Sequence, residues 1–356
     1  MTDFIEEEID DNEEATEQEL FEHHRFVVDK GQVMLRIDKY LMHKIPNASR
    51  TKIQFAAETE SILVNEKPVK ASYKVKGNDV ITVVLPHPPK DNHTINPENI
   101  PLEILFEDDD VLIVNKPAGM VVHPGYNNVT GTLVNALAWH LKDTSFAKEG
   151  NIRPGLVHRI DKNTSGLLVV AKNEFAMTHL AKQFFHHTIQ RAYIALAWGD
   201  FEEEDGTVTG YIGRSTRDRK VFTMVDDETE GKWSVTHYKV LERLNYVTLL
   251  ECKLETGRTH QIRVHMKHIG HSLFADNTYG GDRILKGTTF TKYKQFIDNC
   301  FSIMPRQALH ARSLGFVHPV TGKDMFFEAP LPYDFSTVLD KWRGYNKNVI
   351  EKIEEA

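Results

Sequence analysis

The tetrapeptide Arg-Ile-Asp-Lys occurs twice, at residues 36–39 and 159–162, and the two carboxylates invite different readings. Asp38 opens a stretch with apolar Leu35 and Leu41 at helical spacing, where capping and the field of a helix N-terminus explain an acid. Asp161 follows the strand-like run Gly155-Leu-Val-His-Arg-Ile160 and precedes Lys162-Asn-Thr-Ser-Gly166, a turn cluster that leads into a second apolar run. A carboxylate on a loop at a sheet edge can act as a nucleophile or general base, and it can equally be a turn former. His158-Arg-Ile-Asp161 superficially suggests a kinase catalytic loop, but the spacing is wrong and no glycine-rich phosphate loop is present. His260, His265, His268 and His271 lie close together without a His-Glu-x-x-His pair, and Arg263 and Lys267 would sit beside a bound cation, so no metal is expected. The paired motifs of a zinc deaminase are also missing. Cys252 and Cys300 are the only cysteines, far apart, which excludes a disulfide framework and fits a reducing compartment.

The elements that must position Asp161 follow from charge and periodicity. The 356 residues carry a net charge of −8, unfavourable at first sight for a polyanionic partner. Residues 1–22 hold eleven acids and no Lys or Arg, however, which leaves 43 basic against 40 acidic side chains in the rest. Residues 1–29 are therefore expected to be an acidic, disordered tail. Residues 30–86 contain ten Lys or Arg and five Asp or Glu, and read as two helices followed by a hairpin. Ser49 can cap the second helix, and Arg50 and Lys52 in its first turn suggest a phosphate at that end. Five prolines between residues 86 and 101 mark 87–101 as an extended linker that lets the two bodies reorient. From 102 to 332, apolar runs alternate with short helical stretches, which predicts an α+β domain around a large mixed, mainly antiparallel sheet. Residues 333–356 are expected to form a C-terminal helical extension. The N-terminus lacks an apolar signal region, and the longest uncharged stretch, residues 117–141, is broken by Pro124, Gly125, Asn127 and Asn128, so a cytoplasmic protein without membrane contact is expected.

Longer motifs sharpen these readings. Residues 35–41 (Leu-Arg-Ile-Asp-Lys-Tyr-Leu), Ser49-Arg-Thr-Lys-Ile53, Val64-Asn65 and Asp79-Val80 resemble the S-four-type RNA-binding module. Glu66 stands where that family usually has Gly, which leads us to expect another backbone conformation in the hairpin turn. Gly155-Leu-Val-His-Arg-Ile-Asp-Lys-Asn-Thr-Ser-Gly-Leu-Leu-Val-Val-Ala-Lys172 resembles the signature of pseudouridine synthases of the RluA and RluD type. Supporting segments are residues 110–119 with His123-Pro-Gly125, Arg191-Ala-Tyr-Ile-Ala-Leu196, Thr256-Gly-Arg-Thr-His-Gln-Ile-Arg-Val-His265, Asp276 with Tyr279-Gly-Gly281, Leu309-His-Ala311 and His318-Pro319. Together the resemblance covers roughly residues 34–332. Ala275 in place of Gly and Ile160 in place of Leu are mild departures, and residues 213–222 depart further.

The resemblance implies a cofactor-free isomerisation in which the C1′–N1 bond of a uridine in RNA breaks and the uracil rejoins through C5. It implies that Asp161 attacks C1′ or takes a proton from C2′, that Arg263 pairs with it, and that Tyr193 lies against the uracil. Arg159 would fill the stack vacated by a flipped base, since a planar guanidinium stacks well. Arg36, Arg50 and Lys52 would bind phosphates. The expected partner is structured RNA, most of all large-subunit (23S) ribosomal RNA, possession of a basic module favouring it over a small RNA, with a monomeric protein. Transfer RNA as substrate, or a non-catalytic ribosome-assembly factor, are the alternatives.

Overall fold

The computed structural model describes residues 21–45, 48–85, 95–125, 128–142, 155–218 and 221–354. The N-terminal unit comprises β1 (Phe21–Val27), α1 (Ile37–Lys44), α2 (Arg50–Glu58), β2 (Ile62–Val64), β3 (Lys67–Pro68) and β4 (Val80–Leu85). Its sheet has the order β1-β4-β2-β3. Ile37, Leu41, Ile53, Ile62 and Ile81 form the core between sheet and helices. Ser49 caps α2 as expected, accepting a hydrogen bond from the Lys52 N–H at 3.2 Å.

The boundary at residue 29 needs correction. Strand β1 pairs antiparallel with β4 from Phe21↔Leu85 to Val27↔Val80, and Val28 is buried. The acids of this region conceal Phe21, Phe26, Val27 and Val28, and β4 has a backbone edge that β1 satisfies. Residues 1–20 and 86–94, which contain most of the expected tail and linker, lie outside the described residues. The end of the linker is anchored: Asn135 donates to the Asn96 carbonyl at 2.8 Å, and the Glu98 N–H donates to the Asn135 carbonyl.

The second unit is built on β5 (Glu103–Glu107), β6 (Val111–Lys116), β7 (Gly155–Leu156), β8 (Ser165–Ala171), β9 (Gln190–Trp198), β10 (Asp205–Arg214), β11 (Phe222–Val225), β12 (Lys232–Arg243), β13 (Val247–Leu254), β14 (Leu309–Val317) and β15 (Asp324–Glu328). The sheet order is β11-β10-β12-β13-β9-β14-β8-β6-β5, with β15 on β14 and β7 on β8. Only β8 and β14 pair in parallel among the described strands, so the sheet is mixed and mainly antiparallel. Its helices are α3 (Leu133–His140), α4 (Glu174–Phe185), α5 (Gln261–His268), α6 (Thr291–Ile303) and α7 (Tyr333–Glu354).

Alternation along the strands sends side chains to two faces. Tyr193, Ala195 and Ala197 of β9 pack with Leu168 and Val170 of β8, Leu137 of α3 and Ile262 of α5. Their neighbours Ile194, Leu196 and Trp198 pack on the opposite face against Ile297 of α6 and Trp342 of α7. Leu167 and Val169 of β8 join Leu180 and Phe184 of α4 on that same side. Because Phe335, Val338, Leu339 and Trp342 are all buried there, the C-terminal helix is part of the second unit's core as well as an extension. Gly166, with φ +121, sits where β8 meets β14; a Cβ there would lie 2.2 Å from the Ala311 carbonyl oxygen.

Two departures from the family pattern fall on left-handed backbone. Asn65 and Glu66 have φ 49 and 67, and Ala275 has φ 60. The residues joining β2 to β3 thus keep the twist that a two-residue hairpin needs, and the expectation of a different conformation at Glu66 is overturned. A side chain in this region costs about 1 kcal/mol. Glu66→Gly is expected to stabilise the N-terminal unit by about 0.5–1 kcal/mol in urea unfolding, with no loss of RNA affinity.

Candidate active site

Asp161 lies on the loop between β7 and β8, and several groups hold that loop. The Thr164 N–H closes a turn onto the Asp161 carbonyl at 3.0 Å. Lys116, fully buried at the end of β6, donates to the carbonyls of Lys162 at 2.9 Å, Pro117 at 2.8 Å and Met120 at 2.8 Å. Its three protons are therefore all placed. Burial lowers the Lys116 pKa to about 7, against the pull of the Asp161 charge, which raises it. From the other side Arg306 donates to the Asn163 carbonyl at 3.0 Å and Gln307 to the Thr164 hydroxyl at 3.2 Å.

The carboxylate itself faces a shared guanidinium. Arg263 on α5 donates through Nε and Nη2 to Asp276, at 2.7 and 2.9 Å, and through Nη1 to Asp161 Oδ2 at 3.1 Å. Asp276 is fully buried and also accepts from the backbone N–H groups of Thr278 and Tyr279. Arg263 is thus bound bidentately on one side, which fixes the nitrogen offered to Asp161. Its guanidinium also lies 4.9 Å from the centroid of the Tyr279 ring. Burial opposes the Asp161 charge, but His260, Arg263 and Arg159 outweigh it and hold the carboxyl below the usual carboxylate range. Burial drives His260 itself down to about 4, so near neutral pH Arg263 carries the larger part of this attraction.

Around Asp161 opens a cleft of about 560 Å³, its mouth included. Arg159, Asp161, Tyr193, Leu254, Arg258 and His260 are among the residues that line it. All four catalytic and base-flipping candidates meet here: Asp161, Tyr193 and Arg159 at the wall, and Arg263 directly behind Asp161. Tyr193 is buried on β9, opposite Ala311 of β14 and Cys252 of β13. In the sequence Asp276 stands out only as a motif residue, and His260 only as a motif residue and an unsuitable metal ligand. Their spacing from Arg263 and Asp161 is a property of the fold, and only the motif context pointed toward them.

Arg36, Arg50 and Lys52 stand apart, on the N-terminal unit. Arg36 and Arg50 both bind Asp38, at 2.9 and 3.3 Å, while remaining 40% and 50% exposed. Asp38 is no cap: Arg36 occupies that position, and the buried carboxylate also accepts from Gln54 and the Lys39 N–H. Burial opposes its charge, but these donors bring its pKa to about 2. Lys52 faces α4, with Nζ 3.6 Å from Glu174. The Phe55 and Phe175 rings meet nearby in a tilted contact, 5.2 Å between centroids, and Lys182 pairs with Glu60 at 3.0 Å.

Asp108, Asp110 and His318 cluster at metal-ligand distances, but their own contacts explain them. His318 Nδ1 accepts from the N–H groups of Val320 and Thr321, so its Nε2 carries the proton donated to Asp108 at 2.9 Å. That tautomer presents no lone pair to a cation.

A partly buried carboxylate held ionised at the wall of a cleft, on a mixed sheet with helices on both faces, is the centre of the site. The family model described as RNA pseudouridylate synthase matches residues 110–268. A Chlorobaculum parvum protein described as an uncharacterized RNA pseudouridine synthase is 46% identical over 318 residues, covering 89% of this chain and 96% of its own. The ribosomal large subunit pseudouridine synthase D of Zymomonas mobilis is 41% identical over 325 residues, 88% of this chain and 95% of that one. The structure of human RNA pseudouridylate synthase domain containing 1 aligns with a TM-score of 0.50 at 25% identity, over 68% of this chain and 89% of the human one. The chain belongs to the RNA pseudouridine synthase family, in its RluA/RluD-type branch. It is accordingly an isomerase that acts on RNA.

The shared guanidinium sets an asymmetry in stability. Asp276→Ala leaves Arg263 buried with one weak partner and is expected to cost about 3–5 kcal/mol in urea unfolding. Asp161→Ala leaves the bidentate pair whole and should cost less than about 1 kcal/mol.

Proposed function

We propose that the protein converts uridine to pseudouridine in large-subunit ribosomal RNA, with Asp161 as the group that acts on the ribose of a flipped-out uridine. The observation that carries this reading is the Arg263 contact at 3.1 Å, which keeps the Asp161 carboxyl ionised inside a cleft. An ionised carboxylate can attack C1′ or accept the C2′ proton, and either route releases uracil while its charge is balanced by the nearby cations. Tyr193 offers an aromatic wall for the detached base and a hydroxyl for the C5 proton. Arg159 takes the place of the extruded base in the stack, offsetting part of the few kcal/mol that flipping costs.

Ribosomal RNA as substrate is supported by the name of the Zymomonas mobilis relative and by the basic N-terminal unit. In this reading Arg36, Arg50 and Lys52 exchange their carboxylate partners for RNA phosphates, and the protein works as a cytoplasmic monomer without a cofactor. No helix among the described residues is long and apolar enough to cross a membrane.

Two experiments test these assignments. Purified protein incubated with ribosomal and transfer RNA transcripts should produce pseudouridine in the ribosomal RNA, and Asp161→Asn should lower that rate by more than about 10³-fold. Equal pseudouridine levels with the two proteins would remove Asp161 from the chemistry, and product confined to transfer RNA would remove the substrate assignment. For the N-terminal unit, Arg50→Ala with Lys52→Ala leaves Asp38 held by Arg36 and Gln54. The double variant should make the slope of log K against log salt shallower by about 1.5, from two lost phosphate contacts. An unchanged slope would take these residues out of the RNA interface.

A further inference from the structure

We propose that His260 is a further substrate-contacting residue of this site, whose Nε2–H donates a hydrogen bond to O2 of the departing uracil. The inference rests on the reading of Asp161 as the group that acts on the ribose.

The backbone of His260 is left-handed, with φ 57, at the residue that precedes α5. A histidine is strained there, and its side chain makes no capping hydrogen bond that would explain the position. Instead Nδ1 lies 2.9 Å from the Tyr279 hydroxyl. That hydroxyl accepts the Phe222 N–H at 3.2 Å, and its own proton has Nδ1 as acceptor. Tyr279 is buried, which pushes its hydroxyl pKa up and keeps it a donor. An imidazole that accepts at Nδ1 carries its proton on Nε2. Nε2 stands 4.0 Å from Asp161 Oδ1, beyond hydrogen-bond length, and His260 lines the cleft. The Nε2 proton is therefore available to a substrate beside the carboxylate.

The chemistry identifies which atom can use it. When the C1′–N1 bond breaks, its electron pair stays with the uracil ring and spreads over N1, O2 and O4. A bond forms between Asp161 and C1′ in one route, and a proton passes from C2′ to Asp161 in the other. O2 is the uracil oxygen nearest C1′, whereas O4 lies across the ring, so a donor next to Asp161 falls beside O2. Arg263 is the poorer donor for this atom, because three of its five N–H groups serve Asp276 and Asp161 and, unlike His260, it stands behind Asp161 and not among the residues that line the cleft. His260 remains neutral throughout, so the step needs no additional proton: the hydrogen bond strengthens as charge develops on O2 and weakens when C5 rejoins C1′.

The test pairs the residue with the atom, using the RNA that the wild-type protein modifies and the same RNA with 2-thiouridine at the modified position. Single-turnover rates are measured for wild type, His260→Ala and His260→Gln, with RNA dissociation constants and thermal midpoints alongside. With uridine, His260→Ala should slow the chemical step by roughly 10-fold or more while RNA affinity changes less than about 2-fold, and the Gln amide should recover most of the rate. The 2-thio substitution should change the wild-type rate and the His260→Ala rate by factors that differ by at least about 5-fold. Equal factors overturn the proposal, as does coupling to a 2′-deoxy substitution in place of the 2-thio one. A wild type that modifies no RNA removes the catalytic reading and this proposal together, whereas an active wild type without coupling removes only the role of His260.

Discussion

Arg263 is shared by two carboxylates, and the inequality of the two contacts organises the site. Asp276 is buried, takes two of the guanidinium nitrogens and is itself fixed by two backbone N–H groups. Asp161 takes the remaining nitrogen from a position still open to the cleft. A lone buried cation would be costly, and a lone buried carboxylate would protonate. The triad avoids both, since the inner pair neutralises most of the guanidinium charge and orients what is left toward Asp161. The rest of the catalytic unit makes this geometry possible. Helix α5 supplies Arg263, the loop after β13 supplies His260, and Lys116 and Arg306 clamp the loop that carries Asp161 from two directions.

The repeated Arg-Ile-Asp-Lys tetrapeptide illustrates how the same four residues are put to different uses. In both copies the aspartate meets arginine, and in both its pKa falls despite burial. At Asp38 the arginines are half-exposed and come from the ends of two adjacent helices, so the contact ties α1 to α2. At Asp161 the partner is buried and comes from residue 263, far along the chain, so the contact exists only in the completed domain. Tertiary structure, not local sequence, separates the structural carboxylate from the one in the cleft.

Much of this was legible in the sequence. Continuous apolar runs such as residues 167–171 announced buried strands, and the turn cluster 162–166 placed Asp161 on a loop. The motif resemblance brought Asp161, Tyr193, Arg159 and Arg263 together before their distances were known. The roles of Asp276 and His260 could not be read, because each depends on a partner that only the folded domain brings near. Strand β1 was hidden for a different reason: the acids that begin the chain continue into it, and composition outweighed the few apolar residues that pair with β4. Glu66 and Ala275 show the converse, since neighbouring contacts hold a left-handed backbone even where the favoured glycine is absent.

The account depends most on Asp161 being a carboxylate kept ionised by its surroundings, and that can be measured directly. Protein labelled with ¹³C at aspartate carboxyls, with Asp161→Asn used to assign the signal, gives the titration of this one group by NMR. The account expects a midpoint clearly below the ordinary aspartate value of about 3.9. A midpoint at or above that value would mean that desolvation prevails over Arg263, and would contradict it.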